Sequence, residues 1–126
     1  MTGRKVVVVE DNERNMKLFR EVLESSGYRM LEARTGERAV ALTTEHRPDL
    51  VLMDIHLPDI DGVEALRMLR ADERTASVPV LALTAQAMEG DRERFIAAGF
   101  DGYLSKPVNI ADLLDAVRRY CEGDSR

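Results

Sequence analysis

Asp49-Leu50-Val51-Leu52-Met53-Asp54-Ile55-His56-Leu57-Pro58 decides how this chain reads. Leu50 to Met53 is an unbroken apolar run, short enough to be a strand buried on both faces. It stops at Asp54. Pro58 and then Asp61-Gly62 mark a loop that leads into a helix. A carboxylate therefore stands where a buried strand ends. In open parallel sheets, ligands bind outside that carboxyl end. Taken alone, Asp54 is equally well a simple polar strand terminator.

Upstream, Val6-Val7-Val8-Val9 is β-branched and wholly apolar, which predicts a first buried strand. Glu10-Asp11-Asn12 closes it, and Asn12 is placed to cap a helix running to about Ser26, with Gly27 at its end. At 100° per residue, Leu18, Phe19 and Val22 define the inward face of that helix. Asn15 falls in the middle of this face and is expected to be inward and hydrogen-bonded. Met16 falls well off it, as a surface residue or a contact for a histidine-containing partner. Tyr28 to Ala33 reads as a second, weaker strand. A helix from Thr35-Gly36 to about His46 follows, with Ala39 and Leu42 inward.

Downstream, Asp61-Gly62-Val63-Glu64 has capping-box spacing, and Val63, Leu66 and Leu69 give the next helix its apolar side. Val78 to Leu83 is a fourth strand ending at Thr84. The helix expected over Glu89–Ala98 is poor: Gly90 lies near its start, and Phe95 and Ile96 are its large apolar residues. Gly102-Tyr103-Leu104 is a short fifth strand, followed by Ser105-Lys106-Pro107. Asn109 caps a last helix whose apolar face is Ile110, Leu113, Leu114, Val117 and Cys121, so Cys121 reads as core.

Strands alternating with helices in this way predict an α/β fold, a five-stranded parallel sheet with five helices on two faces. Crossovers are right-handed. Covering both faces requires the chain to wind in both directions from the first strand. The order 2-1-3-4-5 does so and sets strands one and three side by side.

Composition bounds the function. The 126 residues suit one domain, 1–126, with a core over about 4–121 and a short polar tail. Hydrophobic residues make up 44% and charged residues 33%, which reads as globular. The net charge of −5 argues against a sequence-independent hold on nucleic acid. The arginines are interleaved with acids, as in Asp91-Arg92-Glu93-Arg94, and read as solvated helix faces. One cysteine excludes an internal disulfide and points to the cytoplasm. No apolar stretch approaches a membrane span, and Val6–Val9 is too short for a signal peptide.

At the carboxyl ends of the predicted strands stand Glu10, Asp11, Asp54, Thr84 and Lys106. Three converging carboxylates repel one another, and a hard divalent cation relieves that. Mg²⁺ favours one or two carboxylates together with a phosphoryl oxygen. A threonine hydroxyl can donate to an anion, and a lysine can pair with it as a point charge. Such a set can stabilise phosphoryl transfer by positioning and electrostatics, with a carboxylate as acceptor.

The motifs Val-Val-Glu-Asp-Asn (8–12), Leu-Met-Asp-Ile (52–55) with Leu-Pro and Asp-Gly after it, Ala-Leu-Thr-Ala (82–85) and Tyr-Leu-Ser-Lys-Pro (103–107) come in order, each at a strand end. With them the chain resembles a bacterial response-regulator receiver domain over essentially its whole length. That family is a standard instance of the 2-1-3-4-5 order, so the order rests on the resemblance as well as on the winding argument. The resemblance implies Asp54 as phosphoacceptor. It implies Mg²⁺ ligated by Asp11, Asp54 and the backbone carbonyl of His56, with Glu10 acting mostly through water. Thr84 and Lys106 would grip the phosphoryl oxygens, and Tyr103 would change rotamer with Thr84. The Lys106–Pro107 bond would be cis. The implied donor is a phosphohistidine on a histidine kinase or a histidine phosphotransfer protein. The implied output is a downstream protein bound by the face of the fourth helix, fifth strand and fifth helix.

No output domain follows Tyr120, so a stand-alone receiver is expected. The stretches 10–19 and 84–91 are similar to single-domain regulators of bacterial cell-cycle and polarity control. They are also similar to receiver modules of hybrid histidine kinases, where a module can serve mainly as a phosphotransfer intermediate. A phosphohydrolase with an aspartyl nucleophile is the rival of another class. It wants a second acid two residues after the nucleophile, where this chain has His56, and a cap domain for which the chain is too short. A flavodoxin-like cofactor binder needs a small or hydroxyl-rich loop after the first strand, and Glu10-Asp11-Asn12 would repel its phosphate. His46 reads as a solvent-exposed residue at a helix end.

Overall fold

Val6 to Val9 and Leu50 to Met53 are excluded from solvent altogether. Each such side chain contributes about 1.5–3 kcal/mol by leaving water. These two runs form the middle of the sheet as parallel neighbours, with Val6 beside Leu50 and Val9 beside Met53. The computed structural model describes residues 4–85 and 91–121, the backbone alone at 91 and 92. Its strands are β1 (Lys5–Val9), β2 (Arg29–Ala33), β3 (Leu50–Asp54), β4 (Val80–Thr84) and β5 (Gly102–Ser105). They pair in parallel in the order β2-β1-β3-β4-β5. The helices are α1 (Glu13–Ser25), α2 (Gly36–His46), α3 (Gly62–Ala71), α4 (Asp91–Ala98) and α5 (Ile110–Cys121).

The period of two along each strand divides the core. Val7, Val9, Val51, Met53, Val80 and Ala82 face α2, α3 and α4, meeting Ala39, Leu42, Ala65, Leu66, Leu69 and Phe95. Val6, Val8, Leu50, Leu52, Leu81 and Leu83 face α1 and α5, meeting Met16, Phe19, Leu23, Leu113, Val117 and Cys121. Three helix starts are capped as their residues predict. Asn12, Thr35 and Asp61 accept from the backbone N–H groups of Asn15, Arg38 and Glu64. Asn109 Oδ1 accepts from the N–H groups of Ala111 and Asp112 at the start of α5.

Two helix faces differ from the sequence reading. In α1 the buried residues are Met16, Phe19 and Leu23, while Leu18, Val22 and Asn15 are half-buried flanks. The face is turned by roughly a quarter of the helix circumference. Leu23 lies four residues after Phe19 and seven after Met16, and these three form one stripe. Met16 is thus core and does not face a partner, and Asn15 is not an inward amide. In α5, Leu113, Val117 and Cys121 are buried, but Ile110 is 51% exposed. β5 ends at Ser105 and α5 begins at that same edge. Its first residue stands level with the strand ends, where the sheet offers nothing to pack against.

β4 begins at Val80, two residues later than expected, because Val78 closes a turn by donating to Thr75 O. The described part of α4 starts at Asp91, so the expected Glu89 and Gly90 lie outside the described residues.

Candidate functional site

β1, β3 and β4 deliver their terminal residues to one edge. Asp54 is the last residue of β3 and is 4% exposed, and Thr84, the last of β4, is also buried. Glu10 follows β1 and is buried, and Asp11 beside it is exposed. Carboxylate oxygens of Glu10, Asp11 and Asp54 lie within 4.8 Å of one another. Lys106, just past β5, sends its Nζ to 2.8 Å from Asp54 Oδ2 and 2.8 Å from Glu10 Oε1. Burial pushes the Lys106 ammonium down. Its hydrogen bonds to Asp54 and Glu10, and their charges, outweigh that and hold its pKa above the usual lysine value.

The backbone around the acids is built for close approach. The N–H of His56 donates to Asp54 Oδ1 at 3.0 Å, and that of Asn12 to Glu10 Oε2 at 3.2 Å. The chain doubles back after Asp54, so that Gly62 N–H donates to Ile55 O. A Cβ at Gly62 would sit 2.5 Å from Asp54 O, so a glycine is required there. The Lys106–Pro107 peptide is cis, as expected, and Lys106 N–H donates to Thr84 O at 2.7 Å. The two elements that end in Thr84 and Lys106 are therefore tied at the site itself.

The structure brings together Glu10, Asp11, Asp54 and Lys106, with Thr84 at the end of the strand next to Asp54. His56 enters through its backbone, and its side chain is exposed. Tyr103 lies one strand further away. It is half-buried, and its ring centroid is 5.9 Å from that of Phe95 in α4. His46 is half-buried at the end of α2, which leads into the start of β3 at the edge of the sheet opposite Asp54, and it takes no part.

Two residues that tie separate elements together, Asp59 beside the site and Arg70 at the opposite edge of the sheet, were not read from the sequence. Asp59 accepts from the N-terminus of α2, and Arg70 donates to Gly99 O, Ala76 O, Val78 O and Asp101 Oδ2. The latter contacts pin the end of α4 to α3 and to the starts of β4 and β5. Their partners lie up to 31 residues away, so no local pattern announces them.

As a donor set, three carboxylates against one ammonium leave net negative charge in a small, partly buried space. All the ligand atoms are hard oxygens. That suits a hard divalent cation.

The sequence profile of the response regulator receiver domain matches residues 6–118. The polar-differentiation response regulator DivK of Brucella anthropi is 45% identical over 117 residues, covering 93% of this chain and 95% of that protein. Among solved structures, the receiver domain of a sensor histidine kinase of Pseudomonas aeruginosa superposes with a TM-score of 0.87 at 40% identity, over 95% of this chain and 98% of that one. That receiver carries a magnesium ion coordinated in its active-site cleft. A co-crystal structure of a Saccharomyces cerevisiae histidine phosphotransfer protein with the receiver domain of its downstream response regulator matches with a TM-score of 0.89 at 27% identity, over 99% of this chain and 93% of that one.

Proposed function

This chain belongs to the response regulator receiver domain family, and from that membership we propose that it is a phosphoacceptor switch of a two-component system or phosphorelay. Asp54 takes a phosphoryl group from a phosphohistidine on a histidine kinase or a histidine phosphotransfer protein. The observation that carries the reading is Lys106 Nζ, held 2.8 Å from Asp54 at the carboxyl edge of the sheet.

In the transfer, a carboxylate oxygen of Asp54 forms a bond to phosphorus as the phosphorus–nitrogen bond of the donor breaks. The electron pair leaves with the imidazole, and an acyl phosphate remains on Asp54. Lys106 pairs its fixed charge with a phosphoryl oxygen, and the Thr84 hydroxyl donates to another. Mg²⁺ fits the donor set: Asp11, Asp54 and the carbonyl of His56 would hold it, Glu10 through water, and it would neutralise charge on the phosphoryl oxygens. The protein acts on no other substrate, since its phosphorylation and dephosphorylation concern its own Asp54. A phosphohydrolase is disfavoured by the residue two places after Asp54, which is His56. No described helix is long and apolar enough to cross a membrane.

The output runs through α4, β5 and α5. Among the described residues of α4, Phe95 is the one large apolar side chain that is buried, while Ile96 is exposed. With one such anchor among its described residues, α4 can move at small cost about the end that Arg70 holds. Phosphorylation draws Thr84 toward the phosphoryl group, Tyr103 turns into the space beside it, and α4 settles in a second position. A groove of about 570 Å³ bounded by Ile96, Tyr103 and Tyr120 lies on this face and is available to a partner protein. Coupling of this kind is typically ~1–3 kcal/mol.

Incubation with Mg²⁺ and acetyl phosphate tests the reading. A receiver gains one acid-stable, base-labile phosphoryl group. On hydrogen exchange, the phosphorylated protein changes protection within residues 84–106. Release of free phosphate from added esters, with no label retained on the protein, would show a phosphohydrolase instead.

A further inference from the structure

The loop from Ile55 to Asp61 carries the backbone groups nearest Asp54, yet only part of it is fixed by its own strand and helix. Ile55 N–H donates to Leu83 O at one end, and the Asp61 side chain caps α3 at the other. Between them, Asp59 reaches out of the loop to a different element. Its Oδ1 accepts from Gly36 N–H at 2.7 Å and its Oδ2 from Glu37 N–H at 2.9 Å, the first two residues of α2. Both carboxylate oxygens are used, so the loop is held in position and in orientation. The positive end of the helix dipole favours the negative charge.

Desolvation works against that charge. The backbone N–H groups of Glu37, Gly36, Ile60 and Asp59 itself nevertheless keep the carboxyl below the usual aspartate range. Next to this clamp the packing is close. A Cβ at Gly36 would lie 2.4 Å from Ile60 Cγ1 and 3.3 Å from Ile60 O. α2 can approach the loop this nearly only because residue 36 is a glycine.

The geometry points to Asp59 as a positioning residue for the metal and phosphoryl site. By fastening the middle of the loop to α2, it holds His56, whose N–H already bonds Asp54, where its carbonyl can serve as a ligand. The inference rests on the phosphoacceptor reading and adds to it a residue that touches neither metal nor phosphoryl group.

Calorimetric titration with Mg²⁺ alone tests it on Asp59→Asn, Asp59→Ala and Gly36→Ala, at a temperature where each variant is folded. Outer-shell partners of metal ligands typically contribute 10- to 100-fold in affinity, so Asp59→Ala is expected to weaken Mg²⁺ binding about 10-fold. Asp59→Asn keeps one carbonyl acceptor and should lose less. Gly36→Ala keeps the carboxylate but pushes Ile60 away, and should weaken binding as well. In the metal-free protein, the His56 amide should exchange faster in Asp59→Ala, while Val8 in β1 is unchanged. Equal losses in Asn and Ala would make the effect one of charge, and wild-type affinity in folded Asp59→Ala would remove it altogether; either overturns the inference. A wild-type protein that binds no Mg²⁺ would overturn the underlying reading with it.

Discussion

Lys106→Met should lose phosphoryl uptake from acetyl phosphate by about 100-fold or more, the usual consequence of removing one fixed charge or donor from a transfer site. The same change should destabilise the metal-free protein. The side chains of Glu10 and Asp54 are 1% and 6% exposed, and Lys106 is 17% exposed. Removing one member of a buried ionic group leaves the others uncompensated, at a cost of about 3–5 kcal/mol. Urea unfolding in a chelator at neutral pH measures this. Added Mg²⁺ should restore part of the loss in the variant, because it brings positive charge back to the same oxygens. Stability equal to wild type would contradict the ionic account of the site. In the wild-type protein the folded pKa of Lys106 is raised above 10.5. Its contribution is therefore complete below the ordinary lysine value and is lost only as the pH climbs through the raised one.

Asp11→Ala should abolish Mg²⁺ binding while sparing the fold. Loss of a ligand itself is expected to exceed the ~10–100-fold range of outer-shell partners. Asp11 is exposed, within 4.8 Å of two buried carboxylates. Two unit charges ~4 Å apart repel by ~4 kcal/mol at an effective dielectric near 20, and solvent screens an exposed one well below that. Without metal, the variant should be as stable as wild type or more stable by up to about 1 kcal/mol. The buried strands supply far more than this repulsion takes away, which is how the fold keeps three acids together. Calorimetric titration and urea unfolding in a chelator are the two measurements. Marked destabilisation of metal-free Asp11→Ala would show that the acids support the fold and do not strain it.

The strands were legible because Val6–Val9, Leu50–Met53 and Val80–Leu83 are continuous apolar runs, and the first two end in acids. Their ends placed Glu10, Asp11, Asp54 and Thr84 on one edge, and pairing brought the three acids within reach of one another. The face of α1 was harder to read. Leu18, Phe19, Val22 and Leu23 allow two overlapping stripes, and only packing against Val8 and Leu52 selects the one with Met16. Ile110 has the right period for the core and still lies outside it, because a helical wheel carries no information on where the sheet ends. Asp59 and Arg70 act on backbone groups of other elements. Contacts of that kind follow from the fold and leave no local pattern.

Proteolysis and mass spectrometry of the protein after reaction with Mg²⁺ and acetyl phosphate, with reduction of the acyl phosphate to mark its position, test the central claim most directly. The label should fall on Asp54 alone, and Asp54→Asn should take up none while keeping its fold. A label on Asp11, Glu10 or any residue away from the end of β3, or undiminished uptake by Asp54→Asn, would contradict the account.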